Sequence, residues 1–194
     1  MFEALLKYIN SYISKPISES EFEGIKKAFI PKKIRKRQYL LKQGDVCKTF
    51  AFITKGAIRQ YMVDEKGIEH TVQLGIENWW VGDRESWSTL SPSIYNIEAW
   101  EDSELLLINR EDGMKLVRQF PAFNEMITQL DERHMIATQK RITSSISFTA
   151  EKRYTEFVSC HPDFLQRFPL HMIASYLGIT KDTLSRVRNQ TIKK

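Results

Sequence analysis

The sequence predicts an α+β protein built from an N-terminal jelly-roll-like β-roll, a long dimerisation helix and a C-terminal helix-turn-helix. Three observations predict it. Short aromatic and β-branched segments alternate with turn residues up to Ile108, an apolar helical stripe follows Pro121, and the last stretch, LHMIASYLGITKDTLSRVRNQTIKK, carries two amphipathic stripes broken by one glycine. The expected domains are residues 1–111, 112–148 and 149–194.

Composition narrows the class of protein before any motif is considered. The 194 residues are 42% hydrophobic and 27% charged, which suits a globular protein with an ordinary core. No apolar run approaches the roughly 20 residues of a membrane span, and MFEALLKYINSYISK lacks the zones of a signal peptide. We therefore expect a cytoplasmic protein that does not contact a membrane.

The two cysteines, Cys47 and Cys160, lie far apart in the sequence. Neither a disulfide framework nor a four-cysteine zinc or iron–sulfur site can be built from one such chain. Two reduced thiols and no cofactor are expected.

The basic charge is concentrated at one end. The net charge is +5, and from residue 165 onward six Lys and Arg face the single acid Asp182, so the first 164 residues are neutral overall. Charge runs are often only solvated surface, but such a one-sided excess also suits nucleic acid.

The N-terminal part begins with two helical patterns and then turns to strands. Ser18 and Glu21 form a capping box, and Phe22, Ile25 and Phe29 follow at helical spacing. Turn residues such as Gly44, Gly56 and Gly82 then separate short segments, which predict a jelly-roll or small barrel. The predicted strands lie around Ile34–Leu41, Phe50–Thr54, Ala57–Val63, His70–Leu74, Ile94–Trp100 and Glu104–Ile108.

Two helices are predicted next. Asn109 can cap a short helix that runs to Gln119, and Pro121 can begin a long one. The long helix either packs on its own barrel or pairs with a second copy, and its length and polar flanks favour a homodimer. The proposed dimer stripe is Phe123, Met126, Ile127, Leu130 and Ala137.

The last segment has the full pattern of a helix-turn-helix. Gly178 can end the first helix in the left-handed conformation, Ala174 permits a close crossing, and Thr180 can cap the second helix. An ordinary helical hairpin would match only part of this pattern and would not coincide with the charge excess. DNA binding is therefore predicted. The apolar positions are Ile173, Leu177, Ile179, Leu184 and Val187.

Groove geometry assigns roles within the second helix. Residues near the N-terminus of a helix in the major groove read bases, whereas cations and hydroxyls around it hold phosphates. The predicted base readers are Lys181, Asp182, Ser185 and Arg186. The predicted phosphate contacts are Thr180, Thr183, His171, Arg188, Lys193 and Lys194.

The order of these parts resembles the Crp/Fnr family of bacterial transcriptional regulators. The resemblance covers nearly the whole chain through YLLKQGD at 39–45, FITKG at 52–56, Gly82-Asp83, IEA at 97–99, IASYLGIT at 173–180 and LSR at 184–186. It implies a cyclic-nucleotide-binding-like sensor and a homodimer that reads a two-fold symmetric DNA site. It also implies that effector state in the β-roll reaches DNA through the long helix. RNA polymerase and an unknown small-molecule effector stay open as further partners.

The chain departs from the family's cyclic AMP cassette, which begins Gly-Glu and ends Arg-(Ser/Thr)-Ala. Here it begins Gly82-Asp83 and ends Ser93-Ile94-Tyr95. A buried phosphate without the arginine would lack its counter-charge, so control by cyclic AMP is not expected. The cysteine cluster of the oxygen-sensing branch is also missing. His70 is a possible haem ligand, but a lone histidine in a strand is more often structural, so haem is not expected.

Aromatic residues occupy this region instead. They either fill a lost nucleotide pocket or line a site for an apolar effector, and the sequence leaves both interpretations open. The candidate pocket residues are Gly82, Asp83, Arg84, Glu85, Trp79, Trp80, Trp87, Tyr95 and Trp100.

The alternative class is a cupin-like small-molecule-binding or metal-dependent β-barrel. The four histidines form no His-x-His pair, and no Ser-His-Asp arrangement or glycine-rich phosphate loop is present. Neither an enzyme nor a metal site is therefore expected. Because only Thr191 to Lys194 follow the reading helix, we also expect a reduced or absent β-hairpin wing.

Overall fold

The N-terminus forms two helices as the sequence predicts. The structure is a computed structural model that describes residues 1–192, with side chains to residue 190. Helix α1 spans Phe2–Asn10 and α2 spans Glu19–Lys26. The Ser18 hydroxyl accepts a hydrogen bond from the Glu21 N–H and the Glu21 carboxylate accepts one from the Ser18 N–H, which confirms the capping box.

The β-roll consists of two four-stranded sheets and is not a closed barrel. One sheet has the order β1-β8-β3-β6 and the other β2-β7-β4-β5, and the pairs are antiparallel. Of the two predicted alternatives, the sandwich-like jelly-roll arrangement is the one observed. The strands are β1 (Ile30–Ile34), β2 (Tyr39–Leu41), β3 (Thr49–Lys55), β4 (Ile58–Val63), β5 (Glu69–Gly75), β6 (Trp80–Val81), β7 (Asn96–Ala99) and β8 (Ser103–Asn109).

Two parts of this region differ from the prediction. The segment Ile34–Leu41 is not one strand, because the chain turns between β1 and β2 with Arg37 at a φ of 70°. The short helix α3 (Arg84–Thr89) and the two-residue strand β6 were not predicted. Elements this short carry too few residues for a hydrophobic period to be visible.

The helices after Asn109 follow the predicted order. Helix α4 spans Arg110–Gln119 with the Asn109 side chain as its cap, and α5 spans Pro121–Ser147 with proline in its first turn. The remaining helices are α6 (Ala150–Cys160), α7 (Phe164–Arg167), α8 (Leu170–Leu177) and α9 (Lys181–Ile192). Within residues 1–192 no strand follows Asn109, so this part of the chain has no β-hairpin wing.

Three apolar clusters hold the molecule together. The first joins α1 and α2 to β3, β8 and the start of α5, and the second lies between the two sheets. The third joins the helix-turn-helix to the β-roll through Ala57 and Leu74. None of the described helices is both long enough and apolar enough to cross a bilayer.

Candidate nucleic-acid interface

The helix-turn-helix has the geometry that its sequence predicts. Gly178 ends α8 in the left-handed conformation at a φ of 65°, and the Ile179 N–H donates to the Ala174 carbonyl at 3.0 Å. The Thr183 N–H donates to Thr180 Oγ1 at 3.1 Å, so Thr180 caps α9. The apolar residues Ile173, Leu184 and Val187 are buried between the helices.

The outer side of α9 is exposed and cationic. Lys181, Asp182 and Arg186 are exposed near its start, and Ser185 is half-buried beside them. Among the side chains up to residue 190, no acidic group pairs with Lys181, Arg186 or Arg188. Their charges are therefore free to meet an external anion.

The predicted phosphate contacts are placed less uniformly. His171 and Arg188 are exposed, one in the first turn of α8 and one on α9. The hydroxyl of Thr180 is already bonded to that of Thr183 at 2.9 Å, so the cap uses part of its capacity. Lys193 and Lys194 lie outside the described residues.

The helix-turn-helix is attached to the β-roll by an ionic cluster, which we call the interdomain clamp: Arg167, Glu77 and Glu101. The Arg167 guanidinium donates to Glu101 at 2.6 and 2.7 Å and to Glu77 at 3.0 and 3.3 Å. These hydrogen bonds raise the pKa of Arg167, and the bond to Glu101 has a larger effect than the bond to Glu77. Partial burial acts in the opposite direction but is outweighed. Sequence reasoning missed this clamp because isolated Arg and Glu residues give no periodic signal.

Glu77 is held ionised by the same clamp. Burial favours its neutral form, but hydrogen bonds from Arg167 and from the Gly56 N–H outweigh burial and lower its pKa. The Trp100 indole adds a neutral link, because its Nε1 donates to the Arg167 carbonyl at 3.0 Å.

A second attachment lies along the edge strand β5. Ser175 Oγ accepts a hydrogen bond from the Thr71 N–H at 2.9 Å and donates to the Glu69 carbonyl at 3.2 Å. Arg141 of α5 donates to the carbonyls of Val72 and Tyr176. Helix α8 therefore uses hydrogen-bonding groups that an edge strand would otherwise expose.

The predicted dimer stripe needs correction. Phe123 is 2% exposed and Met126 is 0% exposed, and both pack in the first apolar cluster of their own chain. Ile127 packs at the margin of that cluster, and Leu130 is half-buried. The start of α5 is thus buried against the N-terminal part of its own chain, because α1 and α2 supply it with an apolar surface. Of the predicted stripe only Ala137 is exposed.

The exposed apolar residues of α5 lie further along the helix. Met135, Ile142 and Ile146 are 72%, 54% and 81% exposed, and their spacings of seven and four residues put them on one side of the helix. We call them the distal stripe. The sequence contained this signal, but the stronger apolar pattern nearer Pro121 obscured it.

Asp83 and Ser93 of the cassette region satisfy each other's hydrogen-bonding groups. The Asp83 carboxylate is buried, accepts hydrogen bonds from the N–H groups of Glu85 and Ser86, and accepts the Ser93 hydroxyl at 2.6 Å. A phosphate at this helix start would meet the carboxylate of Asp83 rather than free N–H donors.

The predicted pocket residues do not form one site. Trp79 packs against His161 and Phe164 below the helix-turn-helix, and Trp100 joins the interdomain clamp. Of the nine candidates only Trp80, Arg84 and Trp87 line a common cavity, of about 430 Å³, between α3, α4 and α5. The remaining candidates lie outside this cavity. Gly82 packs against Phe50 and Asp83 is buried at the start of α3. Neither Glu85 nor Tyr95 lines the cavity.

Comparisons with known proteins agree with this architecture. The family model of the cyclic nucleotide-binding domain matches residues 31–120. The chain is 28% identical to the fumarate and nitrate reduction regulatory protein of Vibrio cholerae serotype O1 over 183 residues. This match covers 88% of this chain and 72% of the relative.

Two solved structures share the fold at low identity. FixK2 from Bradyrhizobium japonicum superposes with a TM-score of 0.73 at 16% identity, over 85% of each chain. A CooA mutant from Carboxydothermus hydrogenoformans superposes with a TM-score of 0.72 at 21% identity, over 97% of this chain and 84% of the other. The domain match, the sequence relatives and the shared order of β-roll, long helix and helix-turn-helix support a transcriptional regulator of the Crp/Fnr type.

Proposed function

We propose that this regulator acts in the cytoplasm as a homodimer that binds a two-fold symmetric site in double-stranded DNA through α9. One observation carries the proposal. The exposed side of α9 presents Lys181, Arg186 and Arg188, and no described acidic side chain neutralises them. Uncompensated cations on a reading helix are what phosphate and base recognition require.

The proposal divides the residues of α8 and α9 by role. Lys181, Asp182, Ser185 and Arg186 read base edges, because the first turns of a reading helix lie deepest in the major groove. Thr180, Thr183, His171 and Arg188 contact phosphates, as do Lys193 and Lys194 beyond the described part. Phosphate contacts set register and affinity, and base contacts set sequence preference.

Dimerisation is proposed to run through the distal stripe of α5. Three large apolar side chains exposed on one side of a helix are costly to leave in water, and a second copy of the same helix would cover them. A two-fold axis beside α5 would then supply two reading helices for two half-sites.

Control by cyclic AMP is not part of the proposal. Ser93 stands where a phosphate-binding arginine would be needed, and its hydroxyl already bonds to buried Asp83. A second negative charge beside Asp83 would be strongly unfavourable in this buried setting. Isothermal titration with cyclic AMP should therefore show no heat of binding, and a saturable isotherm would contradict this part.

Selection of bound fragments from a random pool of duplex DNA tests the main proposal. The expected result is a palindromic motif, bound with an affinity that falls steeply as salt rises. Selection without any motif would contradict base reading, and a motif without two-fold symmetry would contradict the dimer.

A further inference from the structure

The cavity between α3, α4 and α5 has a mostly apolar wall. Phe50, Trp80, Trp87 and Phe123 contribute aromatic rings, and the ring centres of Phe50 and Trp87 lie 5.3 Å apart in an edge-on contact. A volume of about 430 Å³ is within the range of small-molecule sites. Asp83 and Ser93 of the cassette do not line this cavity, so it is a separate space.

A glycine keeps the cavity open. Gly113 lies buried inside α4, and a Cβ at this position would come within 3.5 Å of Trp87 and 3.7 Å of Ile108. These are ordinary contact distances, so a larger side chain would extend into the empty space. A helix interior disfavours glycine relative to alanine, and here the glycine preserves a space that most side chains would occupy.

Several side chains that line the cavity carry hydrogen-bond donors: Trp80, Arg84, Trp87, Ser88 and Arg118. The Trp80 indole Nε1 is buried and has no acceptor among the described residues. The Trp87 indole Nε1 is buried and has no acceptor in the described part of the molecule. Arg118 is exposed, and no acidic side chain among residues 1–190 pairs with it. Arg84 pairs with Asp131 at 2.7 Å, and both are half-exposed at the rim.

The donors exceed the acceptors, so the cavity lacks a negatively charged partner. Asp131 is the acid in its wall and is already paired with Arg84, which leaves Arg118 without an acidic partner among residues 1–190. A planar carboxylate suits the Arg118 guanidinium, and an aromatic or aliphatic body suits the remaining wall. A phosphate dianion would need more donors than this apolar wall provides.

From these contacts we infer that the cavity binds a small organic carboxylate, with its apolar body on Trp80, Trp87 and Phe123 and its anionic group at Arg118. The same ligand would reach Arg84 and compete with Asp131. Because Asp131 lies one turn before Met135 of the distal stripe, occupancy would change how the start of α5 is anchored. That last step rests on the proposed function, whereas binding itself does not.

The test uses the full chain without DNA, so that its failure is distinguishable from a failure of DNA binding. The probes are phenylpropionate and octanoate, each compared with its neutral amide, and the readouts are tryptophan fluorescence and calorimetry. Saturable binding of at least one carboxylate is expected, about tenfold tighter than its amide.

Two variants and a matched control locate the site. Arg118→Gln should reduce carboxylate affinity to that of the amide and leave the amide unchanged, whereas Lys115→Gln, an exposed cation on the same helix outside the cavity, should change neither. Gly113→Leu should abolish binding of both probes by filling the cavity, and its thermal unfolding shows whether it folds. If Gly113→Leu fails to fold, Arg118→Gln decides the question.

Four results would overturn the inference, and the first three concern the probes and the Arg118 variant. These are no saturable binding by either carboxylate, equal affinity for acid and amide, or equal effects of Arg118→Gln and Lys115→Gln. Undiminished binding by a folded Gly113→Leu protein would also overturn it.

Discussion

Some polar residues of this chain are already hydrogen-bonded within the fold, whereas others are free to contact a ligand. Asp83 caps α3 and binds the Ser93 hydroxyl, which uses the groups that an anion at this helix start would need. Thr180 caps α9 and directly precedes the proposed base reader Lys181. Arg186 and Arg188, by contrast, have no described acidic partner, so their charges are available to DNA.

Arg186 and Arg188 should have separable effects on DNA binding. Arg186→Ala should relax preference at one base pair by about 1–3 kcal/mol, because a bidentate contact to guanine is lost. Arg188→Ala should weaken binding to all sequences about equally and reduce the salt dependence, because a phosphate contact is lost. Competitive binding to a library of single-base variants measures both. An equal loss across sequences for both variants would refute this division.

His161 should make stability depend on pH. Its pKa is lowered by burial, and its ring stacks on Phe164 with centres 4.9 Å apart. The unfolded chain, with an ordinary histidine pKa near 6.5, takes up a proton first as pH falls, so stability should decrease from about pH 6.5 downward.

The variant His161→Phe isolates this contribution. It keeps an aromatic ring but cannot be protonated, so its unfolding free energy should decline less than that of the parent protein between about pH 7 and 5. His134, whose pKa is also lowered mainly by burial, is present in both proteins and cancels in the comparison. Parallel pH profiles, from urea unfolding at each pH, would contradict the assignment.

Among the elements, α5 connects the most parts of the molecule. Its first turns pack with α1 and α2 and also line the apolar cavity, and Arg141 reaches both β5 and α8. The distal stripe is the part that its own chain leaves uncovered. The cavity and the proposed dimer surface therefore lie on the same helix.

The distal stripe can be tested by Ile142→Lys. A lysine in the proposed interface replaces buried apolar area with a charge on both copies, so the dimer dissociation constant should rise by more than about tenfold. Sedimentation equilibrium measures it. Ile68→Lys is the matched control, since Ile68 is 53% exposed against 54% for Ile142 but lies in the turn between β4 and β5. Equal effects of the two lysines would count against this interface.

At the scale of the whole molecule, the helix-turn-helix and the β-roll are joined by polar as well as apolar contacts. The interdomain clamp places a guanidinium between two carboxylates, and Trp79 of the β-roll contributes an aromatic ring. Directional hydrogen bonds between charged groups fix the orientation of the helix-turn-helix relative to the β-roll more narrowly than apolar packing alone.

The clamp should contribute measurably to stability. Arg167→Met keeps the apolar stem but loses the ion pairs, and the unfolding free energy should fall by about 1–2 kcal/mol, a value reduced for the partial exposure of the partners. Lys7→Met breaks the exposed pair with Glu3, and its effect should be smaller. Denaturant unfolding compares the two. A loss from Lys7→Met as large as that from Arg167→Met would show that the clamp is an ordinary surface pair.

Much of the helical architecture is predictable from local patterns. The capping box at Ser18, the cap at Asn109 and the left-handed Gly178 depend on residues within a few positions of one another, and each is confirmed. The prediction of one continuous strand from Ile34 to Leu41 is wrong. The chain turns at Arg37, and a turn that contains neither glycine nor proline leaves no recognisable mark in the sequence.

The order of the parts, the helix-turn-helix and the concentration of basic charge can be predicted from the amino-acid sequence, because all three depend on positions along the chain. The folded structure is needed to establish which apolar side chains of α5 stay exposed, which tryptophans share a cavity and which acids pair with Arg167. Those outcomes depend on contacts between residues far apart in sequence, such as Arg167 with Glu77, and a one-dimensional pattern cannot express which surfaces will meet.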